Sequence, residues 1–385
     1  MLSLLAIFDP NAPTEDVFSW GFVQQVGSNL LPGLGPALVA FAACAALTPL
    51  TIWAARRAGF LAHPTRERDI HTRPIAYGGG LAMYVAFAVA CLVFARRQPS
   101  VPGLLLLGGA TAVLFVVDDR WGIPALVKLG LQALIAVAAV TLFGFEIRYL
   151  FLPLLQFPEL GLFILPITVF WILGWQNTTN LLDGLDGLAA GVVGITAVVL
   201  LVASAGRQPD VVALAAALAG VCGAFLLFNF HPARIFMGDS GAYFLGLTIA
   251  LLSVIGVAKV AVAAAIVVPV LAMGVPIADT ILSIVRRRRN GQAIAHPDAE
   301  HLHHLLLSQG LTQRQTCVLF YCASGILGAV GLTLFGHRKI LAVVIVLMIV
   351  VVSTALGERL GASTRRVPVP FGRAMRHLLV GRATR

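Results

Sequence analysis

An all-α, polytopic integral membrane protein with about 10–11 transmembrane helices is the fold this sequence predicts. Three observations predict it. The 385 residues are 59% hydrophobic and only 11% charged, far more apolar surface than a soluble domain of this length uses. The apolar residues fall into runs approaching the ~20 needed to cross the hydrocarbon of a bilayer. Lysines and arginines are confined largely to the short segments between those runs and to the tail, where membrane topology places them.

Taken in order, the spans are read at 33–54, 78–95, 101–117, 124–143, 161–176, 187–205, 211–228, 242–258, 260–284, 316–335 and 340–357. The boundary between the spans at 242–258 and 260–284 could divide differently. Tyr149–Phe163, broken by Pro153 and Pro158, reads as an interfacial or re-entrant segment. No repeat and no long linker divides the chain, so a single transmembrane domain, 30–358, is expected. It lies between an extracytoplasmic N-terminal tail, 1–29, and a basic cytoplasmic tail, 359–385. The N-terminal residues lack a basic region and break at Asp9-Pro10, unlike a cleavable signal peptide.

Orientation follows from the basic residues. Residues 1–29 contain no Lys or Arg, whereas the next connection carries Arg56, Arg57, Arg66, Arg68 and Arg73. Alternating from there, Arg120, Arg234, the Arg286–Arg289 run and the Arg-rich tail fall on the same side as Arg56. The positive-inside rule then places the N-terminus outside and the C-terminus in the cytoplasm, as in an inner-membrane protein. The net charge of +10 is explained by this topology and by contact with membrane lipid, so no nucleic-acid partner is expected. All five cysteines (Cys44, Cys91, Cys222, Cys317, Cys322) lie in apolar runs without zinc spacing and read as small buried hydrophobes.

With this topology, polar clusters at 63–80, 118–121, 177–187, 229–241 and 296–304 all fall on the cytoplasmic face. Ionisable groups at the edge of a lipid-buried segment are costly, and function is the default reason for keeping them. Asp118 and Asp119 are adjacent carboxylates that repel unless a cation or an Arg offsets them; a helix-end acid pair facing water is the bland alternative. Hard oxygens in a phosphate-handling site suit Mg²⁺. Lys128, just inside the next span, needs a partner or a polar cavity unless it snorkels. Asn177/Asn180 and Asp183/Asp186 are each spaced i, i+3, on one face if helical, while Gly184 and Gly187 allow a loop running into a helix start. Asp239 is a further isolated acid between Gly238 and Ser240. Phe236 can stack on a base or simply pack at the interface. His301, His303 and His304 can donate to phosphate or sugar oxygens, or sit on a solvated loop.

In this order, HTRPIAYGGG (71–80), VDDR (117–120), NTTNLLDGLDGLAAG (177–191), FNFHPARIFMGDSGAYFLG (228–246) and AEHLHHLL (299–306) resemble the polyprenyl-phosphate N-acetylhexosamine-1-phosphate transferases. These are the MraY, WecA and TagO enzymes of the glycosyltransferase 4 type, and the WecA/TagO branch is the nearer pattern. The resemblance implies transfer of a hexosamine-1-phosphate from a UDP-sugar to undecaprenyl phosphate, with release of UMP, in cell-wall or surface-glycan synthesis. It also implies Mg²⁺ (or Mn²⁺) held by Asp239 and Asn180 and a phosphate contact from Lys128. Asp118 and Asp119, as catalytic residues, would bind metal or orient or deprotonate the carrier phosphate, with positioning or metal binding weighed above general-base work. Asn177 would bind substrate, Asp183 and Asp186 would hold the nucleotide and the polar network of the site, Phe236 would stack on uracil, and His301, His303 and His304 would meet the sugar phosphate or carrier headgroup. A homodimer is left open. The chain departs from the family pattern at Ala76 and Tyr77, where Pro and Arg are usual, and at Ala299 and Leu305 in the histidine loop. The competing class is an ion-coupled transporter, whose acids would sit near the midplane and whose halves would repeat; neither feature is found.

Overall fold

The computed structural model describes residues 20–64, 73–148, 150–152, 155–157, 160–205, 208–259 and 306–333, with four isolated positions besides. Over these residues the fold is helical, as expected. The helices are α1 (Trp20–Arg57), α2 (Gly79–Phe94), α3 (Val101–Trp121), α4 (Ala125–Thr141) and α5 (Ile164–Leu182). They continue with α6 (Leu188–Ser204), α7 (Pro209–Asn229), α8 (Gly238–Lys259) and α9 (Gln313–Thr333). Six of the nine regions are long and apolar enough to cross a membrane; α2, α4 and α6 are shorter apolar helices. Apart from those isolated positions, the spans expected at 260–284 and 340–357 lie outside the described residues, as do the histidines at 301–304 and the basic tail.

Several boundaries differ from the sequence reading. Helix α1 begins at Trp20, inside the segment assigned to the N-terminal tail, and carries Pro32 and Pro36 within it. A long apolar helix in a membrane tolerates such prolines where neighbours satisfy the freed carbonyls. Helix α3 runs on to Trp121, so Asp118 and Asp119 belong to its last turn instead of following it. Helix α5 extends to Leu182, which settles Asn177 and Asn180 as helical and leaves Asp183 as its cap and Asp186 in the following turn. The two acids therefore do not share a helix face. In the Tyr149–Phe163 stretch, β3 (Leu150–Leu152) and β4 (Leu155–Phe157) pair antiparallel ahead of a 3₁₀ turn at Gly161–Phe163.

Helix α8 is the axis of the bundle: 94% of its Gly238–Ile255 window is buried, against 22% for α1. Small residues explain how its neighbours come so close. A methyl group on Gly80 of α2 would sit 2.3 Å from the Gly241 backbone nitrogen, and one on Gly246 2.6 Å from the Gln176 Cα of α5. Within a membrane, such backbone approach supplies dispersion contacts that burial alone does not. The outward faces of α3, α4 and α5 carry exposed Leu106, Leu126, Leu134 and Phe170, as lipid contact requires.

Because α1 to α8 alternate in direction, the C-terminal ends of α1, α3, α5 and α7 lie beside the N-terminal ends of α2, α4, α6 and α8, and Arg314 at the start of α9 reaches the His231 carbonyl at the same pole. A short pair β1 (Leu61–Ala62) and β2 (Ile75–Ala76) closes this end, and Ala76 bridges to Ile235 ahead of α8. The polar clusters carried by these ends are thereby gathered at one pole of the bundle.

Candidate active site

Helix α8 starts at Gly238, whose φ of +70° suits a residue without a side chain. A Cβ there would lie 2.4 Å from Asp119 Oδ2. The reason is a cap supplied by another helix, α3. Asp119 Oδ1 accepts the Asp239 N–H at 2.7 Å and its Oδ2 accepts the Ser240 N–H at 3.3 Å. A carboxylate on the exposed N–H groups of a helix start complements both the hydrogen bonds and the helix dipole. Asp119 thus fixes the backbone that presents Asp239.

The Asp239 carboxylate is held from two sides. Lys128 Nζ, from α4, lies 2.7 Å from its Oδ2, and Asn180 Nδ2, from α5, donates to its Oδ1 at 2.8 Å. The same ammonium contacts Asp118 Oδ2 at 2.5 Å, while Asp118 Oδ1 accepts the Ile123 N–H at 2.6 Å. Lys128 is therefore paired instead of snorkelling, with only 24% of its side chain exposed. Two carboxylates share one ammonium, which leaves a negative centre that a hard cation would complement.

Asn177 does not face this centre directly. Its Nδ2 donates to Gln132 Oε1 at 2.7 Å and to the Leu173 carbonyl at 2.8 Å. Gln132, buried and one turn beyond Lys128 on α4, is not among the site residues expected from the sequence. A polar residue at i+4 from the lysine within an apolar span was the available signal.

Above this floor opens a cleft of about 740 Å³, lined by Asp119, Asp183, Asp186, Asp239, Tyr77, His231 and Phe236 and by three arginines, Arg56, Arg73 and Arg234. Its size is that of a pocket for a nucleotide-sized ligand. By sequence alone these arginines are only topology signals. Phe236 stands edge-on to Tyr77, ring centroids 6.1 Å apart, and Tyr77 in turn neighbours Phe60 at 5.5 Å. Asp186 accepts from the Ala233 N–H at 3.1 Å and pairs with His231 Nδ1 at 2.8 Å.

Asp183, between α5 and α6, is half-buried, and its carboxyl is held well above the usual carboxylate range. Burial is the main cause, followed by the charges of Asp239, Asp119 and Asp186. An acid with a raised folded-state pKa contributes stability below its unfolded pKa and loses it as pH rises toward the folded one. Asp183→Asn is therefore expected to raise the melting temperature of the metal-free protein at pH 8 more than at pH 5. Thermal-shift measurements at the two pH values test this; equal shifts, or destabilisation at pH 8, would remove Asp183 from the acid network.

Among the described residues no group of three or more His, Cys, Asp or Glu side chains is arranged as a metal cage. Asp239 and the amide of Asn180 nonetheless offer hard donors side by side, with Asp118 joined to Asp239 through Lys128. Mg²⁺ retains waters and uses one or two carboxylates together with substrate phosphates, so this donor set fits it.

A multi-pass helical bundle that collects acids, a shared ammonium and an arginine-lined cleft at one pole has the build of a membrane-embedded phosphoryl transferase. The model of Glycosyl transferase family 4 matches residues 101–257, which contain the acids, Lys128 and Asn180. The chain is 32% identical over 337 residues to a probable undecaprenyl-phosphate N-acetylglucosaminyl 1-phosphate transferase of Bacillus subtilis, covering 86% of this chain and 93% of that one. It is 35% identical over 371 residues to the decaprenyl-phosphate N-acetylglucosaminephosphotransferase of Mycolicibacterium smegmatis, covering 86% and 89%. A phospho-N-acetylmuramoyl-pentapeptide-transferase of Moorella thermoacetica matches at 32% over 280 residues, 66% of this chain. The chain belongs to glycosyl transferase family 4, among the polyprenyl-phosphate sugar-phosphate transferases.

Proposed function

We propose that the protein transfers N-acetylglucosamine-1-phosphate, or a closely related N-acetylhexosamine-1-phosphate, from a UDP-sugar to a polyprenyl phosphate, releasing UMP. The observation that carries this reading is the Lys128–Asp118–Asp239–Asn180 centre opening beside an arginine-lined cleft at one end of a membrane bundle. The relatives named for N-acetylglucosamine transfer to undecaprenyl or decaprenyl phosphate support the substrate classes.

In the transfer, an oxygen of the carrier phosphate attacks the sugar-linked phosphorus. The P–O bond to the uridine-bearing phosphate breaks, UMP leaves, and a polyprenyl diphosphate sugar remains. A phosphate monoester has a second pKa near ~6, so the attacking group is already largely dianionic at neutral pH. Asp118 and Asp119 then serve positioning: one orients Lys128, the other fixes the start of α8. Lys128 neutralises charge on phosphate, and Arg56, Arg73 and Arg234 complement the donor diphosphate. Phe236 offers a ring to uracil. Asp239 and Asn180 would hold Mg²⁺, which supplies charge neutralisation for a reaction that consists mostly of positioning and electrostatics. The positive-inside pattern supports a cytoplasmic site in a bacterial inner membrane.

The test incubates detergent-extracted protein with undecaprenyl phosphate, Mg²⁺ and a panel of labelled UDP-N-acetylhexosamines. The expected result is lipid-linked label with stoichiometric UMP, lost on adding excess EDTA and restored by Mg²⁺. A folded preparation that turns over none of the donors refutes the assignment.

A further inference from the structure

We infer that His231, oriented by Asp186, is a donor-recognising residue of the cleft, and that one face of α9 exists in part to hold this pair in place. The inference rests on the reading of the cleft as the UDP-sugar site.

The pair is built like a positioned imidazole. Asp186 Oδ2 lies 2.8 Å from His231 Nδ1, and both residues line the cleft. A carboxylate on Nδ1 selects the tautomer with its proton there and leaves Nε2 as the nitrogen available to a ligand. The His231 side chain is 38% exposed while the Asp186 side chain is 13% exposed, so the imidazole is the accessible member and the acid its support. The same carboxylate oxygen accepts the Ala233 N–H at 3.1 Å, tying the turn that follows His231 to the acid.

Behind the pair, the backbone is held by three side chains of α9. Arg314 Nε donates to the His231 carbonyl at 2.8 Å, Cys317 Sγ to the Asp186 carbonyl at 3.4 Å and the Tyr321 hydroxyl to the Gly187 carbonyl at 2.6 Å. Positions 314, 317 and 321 are spaced i, i+3, i+7, which is one stripe of a helix. Three donors on a single stripe reach carbonyls of two separate loops, at adjoining points on either side of the pair. Cys317 is fully buried and the guanidinium of Arg314 also lies over the Phe230 ring, 5.8 Å from its centroid.

The opposing surface is shaped to admit this stripe. A Cβ on Gly191 of α6 would fall 2.1–2.3 Å from the ring and hydroxyl of Tyr321, so only glycine lets the phenol through to Gly187. Gly187 itself has φ +86° and gives its N–H to Asn229 Oδ1 at 3.0 Å. It is thus held at its nitrogen by α7 and at its oxygen by α9. Arg314, Cys317 and Tyr321 lie outside residues 101–257, the part matched by the family model. They are positioning residues, acting on the ligand only through Asp186 and His231.

The experiment compares wild type with His231→Phe, His231→Gln, Tyr321→Phe, Arg314→Ala and Arg314→Lys, each in the full chain in detergent. Affinity for UDP with Mg²⁺ is read by calorimetry, KM and kcat by transfer, and backbone exchange over residues 182–191 and 229–236 by mass spectrometry. His231→Phe is expected to weaken UDP binding and raise the donor KM about tenfold, the scale of one hydrogen bond to a partly charged ligand, with kcat within about threefold. His231→Gln recovers part of the loss. Tyr321→Phe and Arg314→Ala move KM in the same direction by about three- to fivefold and speed exchange in both loops, and Arg314→Lys restores both. Unchanged UDP affinity in folded His231→Phe overturns the role of the imidazole. Unchanged exchange, or an unchanged KM despite faster exchange, overturns the role of α9. Failure of the wild-type protein to bind UDP would instead refute the donor reading of the cleft, while the exchange arm still decides whether α9 anchors the pair.

Discussion

Asp239→Asn should lower transfer by about 10²–10³-fold or more while leaving membrane insertion and the amount of folded protein unchanged. The substitution is isosteric, so the start of α8 and its cap by Asp119 stay in place. What disappears is the charge on which Lys128 and Asn180 converge, at 2.7 and 2.8 Å. An amide can still accept one hydrogen bond, but it binds a hard divalent cation far more weakly than a carboxylate. Lys128 would then turn wholly to Asp118. Single-turnover rates with saturating donor, beside size-exclusion profiles of wild type and variant, are the measurement. Turnover at the wild-type rate would remove Asp239 from the reacting centre and transfer its proposed role to Asp118.

Lys128→Met should be the most destabilising single change at the site. The ammonium is the shared partner of Asp118, whose side chain is 3% exposed, and of Asp239, at 26%. Removing one partner of a buried ion pair leaves an uncompensated charge, which costs about 3–5 kcal/mol in full burial. With a quarter of the lysine side chain exposed, about 2–4 kcal/mol is the expectation here. A dependence on cation distinguishes this from simple loss of packing. If the two carboxylates face each other unneutralised, Mg²⁺ should raise the melting temperature of Lys128→Met more than that of wild type. Equal Mg²⁺ shifts in the two proteins would mean that Asp118 and Asp239 do not form a common cation-binding centre.

The main features of the fold were legible without coordinates because apolar run length and basic-residue placement are local properties. Hydrophobic stretches at 101–117 and 211–228 became α3 and α7 with their ends moved by a few residues. The errors at the ends had particular causes. Polar side chains at or beside the site, such as Asn177, which bonds Gln132, and Asn180, Asp118 and Asp119, look like loop residues when read by hydropathy. In the structure they are the last turns of helices whose polar face is buried against other polar groups. Helix α1 starts before the expected span, over a stretch where Gln24, Gln25, Ser28 and Asn29 interrupt the apolar run.

The site itself was half legible. Asp118, Lys128, Asn180 and Asp239 are conspicuous in a sequence so poor in charge, and alternation of the spans assigned them to one face. Which of them touch was not legible, because the contacts that Asp239 makes with Asn180 and Lys128 join residues 59 and 111 positions apart. Helical periodicity carries information over three or four residues, not over such separations. Asp119 looked equivalent to its neighbour, yet one turns toward Lys128 and the other across to the N–H groups of α8. His231 was visible only as part of a motif, and its partner Asp186 only as one of two similar acids.

Composition and topology by themselves determined that this chain is a helical membrane protein with its polar chemistry at one face, because lipid tolerates charge nowhere else without a reason. The tertiary structure alone decided how that chemistry is divided. Asp239 is the point where Lys128 and Asn180 converge, Asp119 the cap that presents it, and Asp186 the support of an imidazole. The physical reason is that a carboxylate's role is set by what surrounds it, and those surroundings are assembled by helix packing from distant parts of the chain.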